Sequence, residues 1–159
     1  MAIYDNSNIR RQDRLLDEKE AMTLLEAGEY GVMSMVADGK PYAVPVSYAY
    51  DGSGAIYVHC APEGEKLEAL RKCGDVVFVV VGKTEVLPSK FTTRYESVLV
   101  RGTAHIGLDE AERYRALDLI LKKYSPDDYE TGRKYAAASF HRTEIIRIDV
   151  ETVSGKTKR

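Results

Sequence analysis

The sequence contains no tryptophan, only two cysteines, and three residues each of histidine and phenylalanine among its 159 residues. Cys60 and Cys73 are too far apart for a CxxC motif, and the chain lacks the Cys/His spacing of a zinc site. We therefore predict that the protein has no metal site. Both cysteines are interpreted as free, buried thiols.

Long apolar runs are also missing, and no stretch of about 20 apolar residues is present that could cross a bilayer. The N-terminus lacks the apolar core of a signal peptide, so we expect a cytoplasmic protein that does not insert into membranes. A net charge of −2 argues against a nucleic-acid binder. Neither a GxGxxG motif nor a P-loop is present, which excludes those two kinds of nucleotide site.

What is present is typical of one globular domain with its own core. The chain is 44% hydrophobic and 30% charged, which argues against general disorder. We divide it into an extended or loosely helical lead-in at residues 1–16, a single domain at residues 17–153, and a frayed C-terminal tail at residues 154–159.

Four segments have the pattern of helices. Asp17 followed by Glu20 has the spacing of a capping box, and Asp109 with Glu112 repeats that spacing before a clear apolar stripe. The predicted helices cover about 17–28, 65–72, 109–124 and 130–139.

Alternation with a period of two predicts six strands. Asp38-Gly39 is a strong hairpin turn between two of them. The run Val76–Val81 is apolar on both faces, which predicts a strand buried on both sides at the centre of the sheet. Residues 83–95 predict a long loop or an interface arm. The predicted strands cover 30–37, 41–50, 55–60, 76–81, 96–106 and 143–150, the first three forming a meander.

Mostly antiparallel strands with few helices predict a mainly β (α+β) fold, a barrel or curled sheet. In the strand at 41–50, the small residues Ala43, Pro45 and Ser47 share one face. That face would either accept a flat ligand or lie beneath a packed helix. Pro45 cannot donate to a strand ladder, which indicates an edge or a bulge.

The segment AIYVHCAPEGEKLEALRK (55–72) has the pattern of a phosphate site. A strand ends, Gly64 allows a turn with positive φ, and a helix begins that carries Lys66. The unpaired amides of a helix start together with a lysine bind phosphate well, although Lys66 could also be a solvated surface lysine. His59 and Cys60 lie at the mouth of the same turn.

Five segments in order form a more specific pattern: GEYGVMS (28–34), PYAVPVSYAYD (41–51), the segment 55–72, VVGKTEVLPSKFTTRYESVLVRGTA (80–104) and SFHRTEIIRID (139–149). Together they resemble the pyridoxamine 5′-phosphate oxidase-related flavoproteins, and within them the branch of the 5-nitroimidazole resistance (Nim-type) proteins. The resemblance extends from about Arg10 to Lys156. It implies an FMN-binding split β-barrel with peripheral helices, a homodimer, and FMN in a groove shared by two chains.

The resemblance also implies which residues bind the cofactor. The flavin ring would face residues 45–47, Lys66 would bind the phosphate, and Phe140 and His141 would come from the partner chain. Glu65 stands where the family often has a basic residue. The implied set comprises Pro45, Val46, Ser47, Tyr48, His59, Cys60, Ala61, Lys66, Thr92, Thr93, Ser97, Phe140 and His141.

The function that the resemblance implies is an FMN-dependent oxidoreductase that acts on a small electron-poor molecule, such as a nitroimidazole. His59 is the catalytic candidate because an imidazole can donate either a hydrogen bond or a proton near neutral pH. Two alternatives stay open. One is a flavin or haem carrier or sensor without turnover, with His59 or His141 as an axial ligand. The other is a cofactor-free dimer that binds a small metabolite.

Overall fold

The computed structural model describes residues 2–159, which form one curled, eight-stranded sheet with four α-helices around it. The strands are β1 (Ile3–Tyr4), β2 (Gly31–Ala37), β3 (Lys40–Val46), β4 (Ala49–Tyr50), β5 (Ala55–Cys60), β6 (Asp75–Leu87), β7 (Thr92–His105) and β8 (Glu144–Lys158). The helices are α1 (Glu18–Ala27), α2 (Glu65–Lys72), α3 (Glu110–Tyr124) and α4 (Tyr129–Ser139). Each helix of residues 2–159 is too short or too polar to span a bilayer.

The strand order is β3-β2-β6-β7-β8-β5-β4, with β1 paired in parallel to β8. The two edge strands, β3 and β4, follow one another in the chain with only Ser47 and Tyr48 between them. The sheet must therefore curl until its edges approach each other, which makes a barrel that is split at residues 47–48. The mainly β, split-barrel prediction is confirmed.

The predicted meander of three strands is confirmed in its antiparallel pairings, but its middle strand is broken into β3 and β4, which lie at opposite edges of the sheet. β3 pairs with β2, whereas β5 pairs with β4 and β8. The single strand predicted at 41–50 breaks at residues 47–48, where the Tyr48 amide donates to the Tyr124 hydroxyl of α3 at 2.9 Å and not to a neighbouring strand. Pro45 lies on an edge strand, where a missing N–H costs no ladder hydrogen bond.

Helix starts are where sequence and structure agree best. The Asp17 carboxylate accepts a hydrogen bond from the Glu20 amide at 2.8 Å, and the Glu20 carboxylate accepts one from the Asp17 amide at 3.3 Å. Asp109 caps α3 through the Glu112 amide at 2.7 Å. Both predicted capping residues are confirmed, because a cap depends on neighbours in sequence only.

The predicted loop at residues 83–95 is a β-hairpin. After a register shift between Val81 and Thr84, β6 and β7 stay paired as far as Leu87 and Thr92. We call residues 82–96 the arm. Its side chains are mostly exposed, so the arm has no buried face to impose an apolar alternation.

The predicted frayed tail is also a strand, because β8 continues to Lys158 and pairs there with Tyr95. The apolar alternation that predicts a strand is interrupted here, because the buried position 155 is a glycine. A Cβ at Gly155 would lie 2.9 Å from that of Leu16 and 3.0 Å from that of Ala21, so the lead-in and α1 pack directly on the strand.

Val76–Val81 was predicted to be buried on both faces, and it is not. Val76, Phe78 and Val80 are buried in the main core, but Val81 on the opposite face is 51% exposed. β7, not β6, is the central strand of the sheet. One apolar face of this sheet is therefore open in the single chain.

Candidate cofactor groove

A groove of about 650 Å³ lies where β3 and β5 end and α2 begins. Six predicted site residues line it, all from these strand ends and the first turn of α2. They are Val46, Ser47, His59, Cys60, Ala61 and Lys66. Six residues that the sequence predicts to bind the cofactor therefore lie together, on one side of this groove.

The start of α2 lacks a side-chain cap. Gly64 precedes the helix with φ 128°, a left-handed conformation that favours glycine. The Glu68 amide donates to the Gly64 carbonyl at 3.2 Å. The amides of Glu65, Lys66 and Leu67 precede that bond, so they have no acceptor within the helix and remain available to an anion.

Two cations line the groove, Lys66 and Arg142. Neither forms an ion pair with a carboxylate of residues 2–159. Arg142 supplies a second positive charge beside Lys66. Sequence reasoning missed it because residues 140–142 form a short 3-10 turn with no periodicity to indicate which side chain faces a cavity.

Three further lining residues were missed: Tyr135 and Ser139 on α4, and Thr143 just before β8. Tyr135 as a whole is 72% exposed, so its ring is accessible for stacking. The one available signal was the segment 139–149, which contains Ser139 and Thr143 and which Tyr135 shortly precedes.

The position of Val46 and Ser47 depends on the split between β3 and β4. The Tyr48 amide donates to the Tyr124 hydroxyl at 2.9 Å, and that hydroxyl donates to the Glu29 carbonyl at 2.7 Å. The Tyr48 hydroxyl donates to the Leu25 carbonyl, and burial raises its pKa. The Tyr48 side chain therefore belongs to the core, and a ligand in the groove could meet only the backbone of this residue.

His59 presents an exposed imidazole that makes no hydrogen bond to residues 2–159. The protein around it still displaces enough water to lower its pKa below the usual 6.5. The neutral imidazole, with one N–H donor and one free nitrogen, therefore predominates at neutral pH. Next to it, burial raises the pKa of the Cys60 thiol more than the nearby Lys66 charge lowers it.

Four other predicted residues lie outside the groove of this chain, on the outer face of the sheet or on the arm. Pro45 is exposed opposite Val32. Ser97 lies in register with Val81. Thr92 and Thr93 are on the arm, where the Lys158 ammonium contacts the Thr92 hydroxyl.

Phe140 and His141 also do not line the groove of their own chain. The Phe140 ring stacks on Tyr114 with centroids 4.0 Å apart and an interplanar angle of 5°, and the Arg113 guanidinium lies 4.0 Å from its centroid. His141 is exposed in the 3-10 turn. Their predicted contribution from a partner subunit stays a prediction.

The family model described as pyridoxamine 5′-phosphate oxidase matches residues 17–157. No curated protein matches the sequence.

Several solved structures share the fold. A candidate 5-nitroimidazole antibiotic resistance protein from Bacteroides thetaiotaomicron is 22% identical with a TM-score of 0.77, over 91% of this chain and 86% of that chain. An FAD and haem binding protein from Mycobacterium smegmatis is 20% identical with a TM-score of 0.76, over 89% and 71%. An FAD-binding protein from Mesorhizobium loti is 26% identical with a TM-score of 0.64, over 92% and 98%.

Proposed function

Because the chain belongs to the pyridoxamine 5′-phosphate oxidase family, we propose that it is a homodimeric, cytoplasmic FMN-binding oxidoreductase that reduces a small electron-poor molecule, such as a nitroimidazole. The observation that carries the proposal is the uncapped start of α2, whose Lys66 lines the same groove as Arg142.

The residues present fit a flavin mononucleotide. A phosphate monoester carries a charge of about −1.5 to −2 at neutral pH, which Lys66 and Arg142 together would balance. The Ser47 hydroxyl could donate to the polar edge of the ring or to the ribityl chain. The hydroxyls of Ser139 and Thr143 already donate to backbone carbonyls at 2.9 Å, so their oxygens could accept from the ribityl hydroxyls. The groove volume of about 650 Å³ lies within the range of roughly 300–1,000 Å³ usual for cofactor sites.

His59 is the residue of this chain that would act as the proton donor in the reaction. A bound flavin would supply the electron pair. Conversion of a nitro group to a nitroso group consumes two electrons and two protons and releases one water. The protonated His59 imidazole would deliver one of these protons to a nitro oxygen. Its lowered pKa makes this form scarcer at neutral pH and more abundant as the pH falls.

The open sheet face supports the homodimer. Pro45, Val32, Val79 and Leu99 lie in one row across four strands, all at least partly exposed. Val81 beside this row is 51% exposed. A soluble monomer rarely leaves such an apolar face uncovered, and a second copy of the chain would cover it.

This arrangement gives the remaining predicted residues a role. Pro45 lies in the open face and its neighbour Val46 lines the groove, so a partner packed on that face would lie beside the groove. Thr92, Thr93 and Ser97 would then act from the partner subunit.

We expect sedimentation to give about 36 kDa, twice the 17.8 kDa chain. A monomer that still binds FMN tightly would contradict the shared site.

Titration of the cofactor-free protein with FMN, riboflavin and FAD tests the cofactor. We expect FMN to bind with micromolar or better affinity and riboflavin at least about tenfold more weakly, because riboflavin lacks the phosphate that Lys66 and the α2 amides would bind. Equal affinity for FMN and riboflavin would refute the phosphate assignment. Tighter binding of FAD than of FMN would instead assign the site to the dinucleotide.

One observation favours a second candidate. The His59 imidazole is unpaired and mainly neutral, which is the state required of an axial ligand to haem iron. The Mycobacterium smegmatis structure is of a protein that binds both FAD and haem. The visible spectrum of the purified protein separates flavin bands from a Soret band, and the absence of both would favour a cofactor-free binding protein.

A further inference from the structure

A second cavity, of about 700 Å³, lies between α3, α4 and the beginning of β5. None of the residues that line it lines the cofactor groove. Its walls are largely apolar, from Tyr57 on β5, Leu117 and Leu121 on α3, and Ala136 and Ala137 on α4. Such a size and lining are typical of a pocket for a small organic ligand.

The acidic side chains of this cavity are already satisfied. The Asp51 carboxylate accepts hydrogen bonds from the amides of Ser53, Gly54 and Ala55 at 2.8, 2.9 and 2.9 Å. The Asp118 carboxylate pairs with the Lys122 ammonium at 2.6 Å. It also accepts a hydrogen bond from the Tyr129 hydroxyl. Neither carboxylate is free to bind a cation.

The two arginines of the cavity are not satisfied in this way. Arg115 has no carboxylate partner within the described part of the chain. Arg133 reaches only Glu130, at 3.8 Å in an exposed pair that contributes little. One arginine stands on each of the two facing helices. The cations of this cavity therefore keep N–H donors free for an anion, whereas the carboxylates have their partners already.

The helix α4 has no buried residue, which is unusual for a helix that must pack to be stable. It approaches α3 closely at Gly132, where a Cβ would lie 2.5 Å from a methyl group of Leu121. The Tyr129–Asp118 hydrogen bond and the partly buried Ala136 also join the helices, and the cavity lies beside these contacts. A ligand there would add to the few apolar contacts that hold α4.

We propose that this cavity binds a small carboxylate with an apolar body, of the medium-chain fatty acid class. Arg115 and Arg133 bind the carboxylate by charge-assisted hydrogen bonds, and the apolar body packs against Tyr57, Leu117 and Ala136. The ligand is distinct from the substrate at His59, since the two cavities share no lining residue. The opposite side of α4, through Tyr135 and Ser139, lines the cofactor groove.

Methyl NMR of the protein as purified, labelled at leucine and valine methyls, tests the proposal with decanoate and with decanol as the uncharged analogue. We expect decanoate to shift the methyl signals of Leu117 and Leu121 saturably, with those of Val46 in the groove unchanged. Decanol should bind at least tenfold more weakly. Equal binding of the two probes, unchanged signals of Leu117 and Leu121, or shifts centred on Val46 would each overturn the proposal.

Variants identify the charges. In Arg115→Gln/Arg133→Gln, the preference for decanoate over decanol should disappear, while Lys134→Gln, which removes an exposed cation of α4 that does not line the cavity, should keep it. Equal loss in both proteins would refute a specific carboxylate site. If the double variant does not fold, the wild-type comparison of decanoate with decanol decides the question.

Discussion

Two helices of this chain begin with the same dipeptide, but the backbone amides at their starts differ in whether a side chain caps them. α1 begins Glu18-Lys19 and α2 begins Glu65-Lys66. Before α1 stands Asp17, which completes a capping box with Glu20. Before α2 stands Gly64, and no side chain caps the helix.

The difference shows how a ligand site can be recognised. A cap contributes typically about 1 kcal/mol, so an uncapped helix start sacrifices stability and leaves its amides free. The same contrast holds for two histidines. His105 lies 3.0 Å from the Asp149 carboxylate, whereas His59 has no partner within residues 2–159. The start of α1 and His105 are thus satisfied by groups of the fold, whereas the start of α2 and His59, both at the groove, are not.

Gly64→Asp should break the comparison most strongly, because it gives α2 the cap that α1 has. The new carboxylate would compete for the free amides and repel a phosphate, in a backbone conformation with φ 128° that strains any side chain. We expect FMN affinity to fall about 10³-fold, since each lost hydrogen bond to a charged group contributes roughly 1.5–3 kcal/mol and two would be lost. Isothermal titration measures this.

Gly107→Asp is the control for Gly64→Asp, because Gly107 also has a positive φ, of 70°, and open space around it. Its substitution adds the same charge away from the groove and should leave FMN affinity nearly unchanged. Similar losses in the two variants would mean that the effect comes from charge or strain in general.

His59→Ala tests the contrast between the histidines. FMN content should stay nearly intact, while reduction of a nitroimidazole slows about 10²-fold, the low end for loss of a general acid. In the wild type, the rate per bound FMN should rise as the pH falls toward the lowered pKa of His59, because only the protonated imidazole donates a proton. The variant should lack this rise. Stopped-flow reoxidation of the reduced protein gives the rate.

His105→Ala is the matched control and should lower stability without changing the rate per bound FMN, since His105 pairs with Asp149 away from the groove. A His59→Ala variant with an unchanged rate and a lower melting temperature would show that His59 is structural.

The difference between the capped and the uncapped helix start can be predicted from the sequence, because it depends on neighbouring residues. The caps Asp17 and Asp109, the Asp38-Gly39 turn and the Gly64 turn depend on residues within a few positions of each other. The resemblance to a family adds the fold, and its segment 55–72 contributes four of the six predicted residues that line the groove.

What the sequence could not predict depends on contacts between distant segments. The break at Ser47–Tyr48 requires the Tyr124 hydroxyl from α3. The last strand requires α1 to pack on Gly155, a position without a side chain to carry a pattern. Arg142 reaches the groove from an irregular turn near the other end of the chain. None of these contacts produces a periodic pattern of apolar residues in the sequence.

Lys66→Ala compares equivalent positions of the two helices directly. It should weaken FMN binding by about 1.5–3 kcal/mol, the contribution of a hydrogen bond to a charged group. Lys19 is the second residue of α1 as Lys66 is of α2, so Lys19→Ala is the natural control and should have no effect on FMN. Riboflavin affinity should change in neither variant. An unaltered FMN affinity in Lys66→Ala would mean that Lys66 is a solvated surface lysine that does not bind the phosphate.

Asp17→Ala should have the smallest effect, and of the opposite kind. It removes the cap that α1 has and α2 lacks, at a cost of about 1 kcal/mol of the free energy of unfolding, or a melting temperature lower by about 2–4 °C for a chain of this size. FMN affinity should stay the same, because α1 does not line the groove. Thermal unfolding of the cofactor-free and FMN-loaded protein measures both quantities, and equal destabilisation in the two states is expected. A loss of FMN affinity in Asp17→Ala would mean that the start of α1 is coupled to the groove, and that capped and uncapped helix starts do not separate fold from function in this protein.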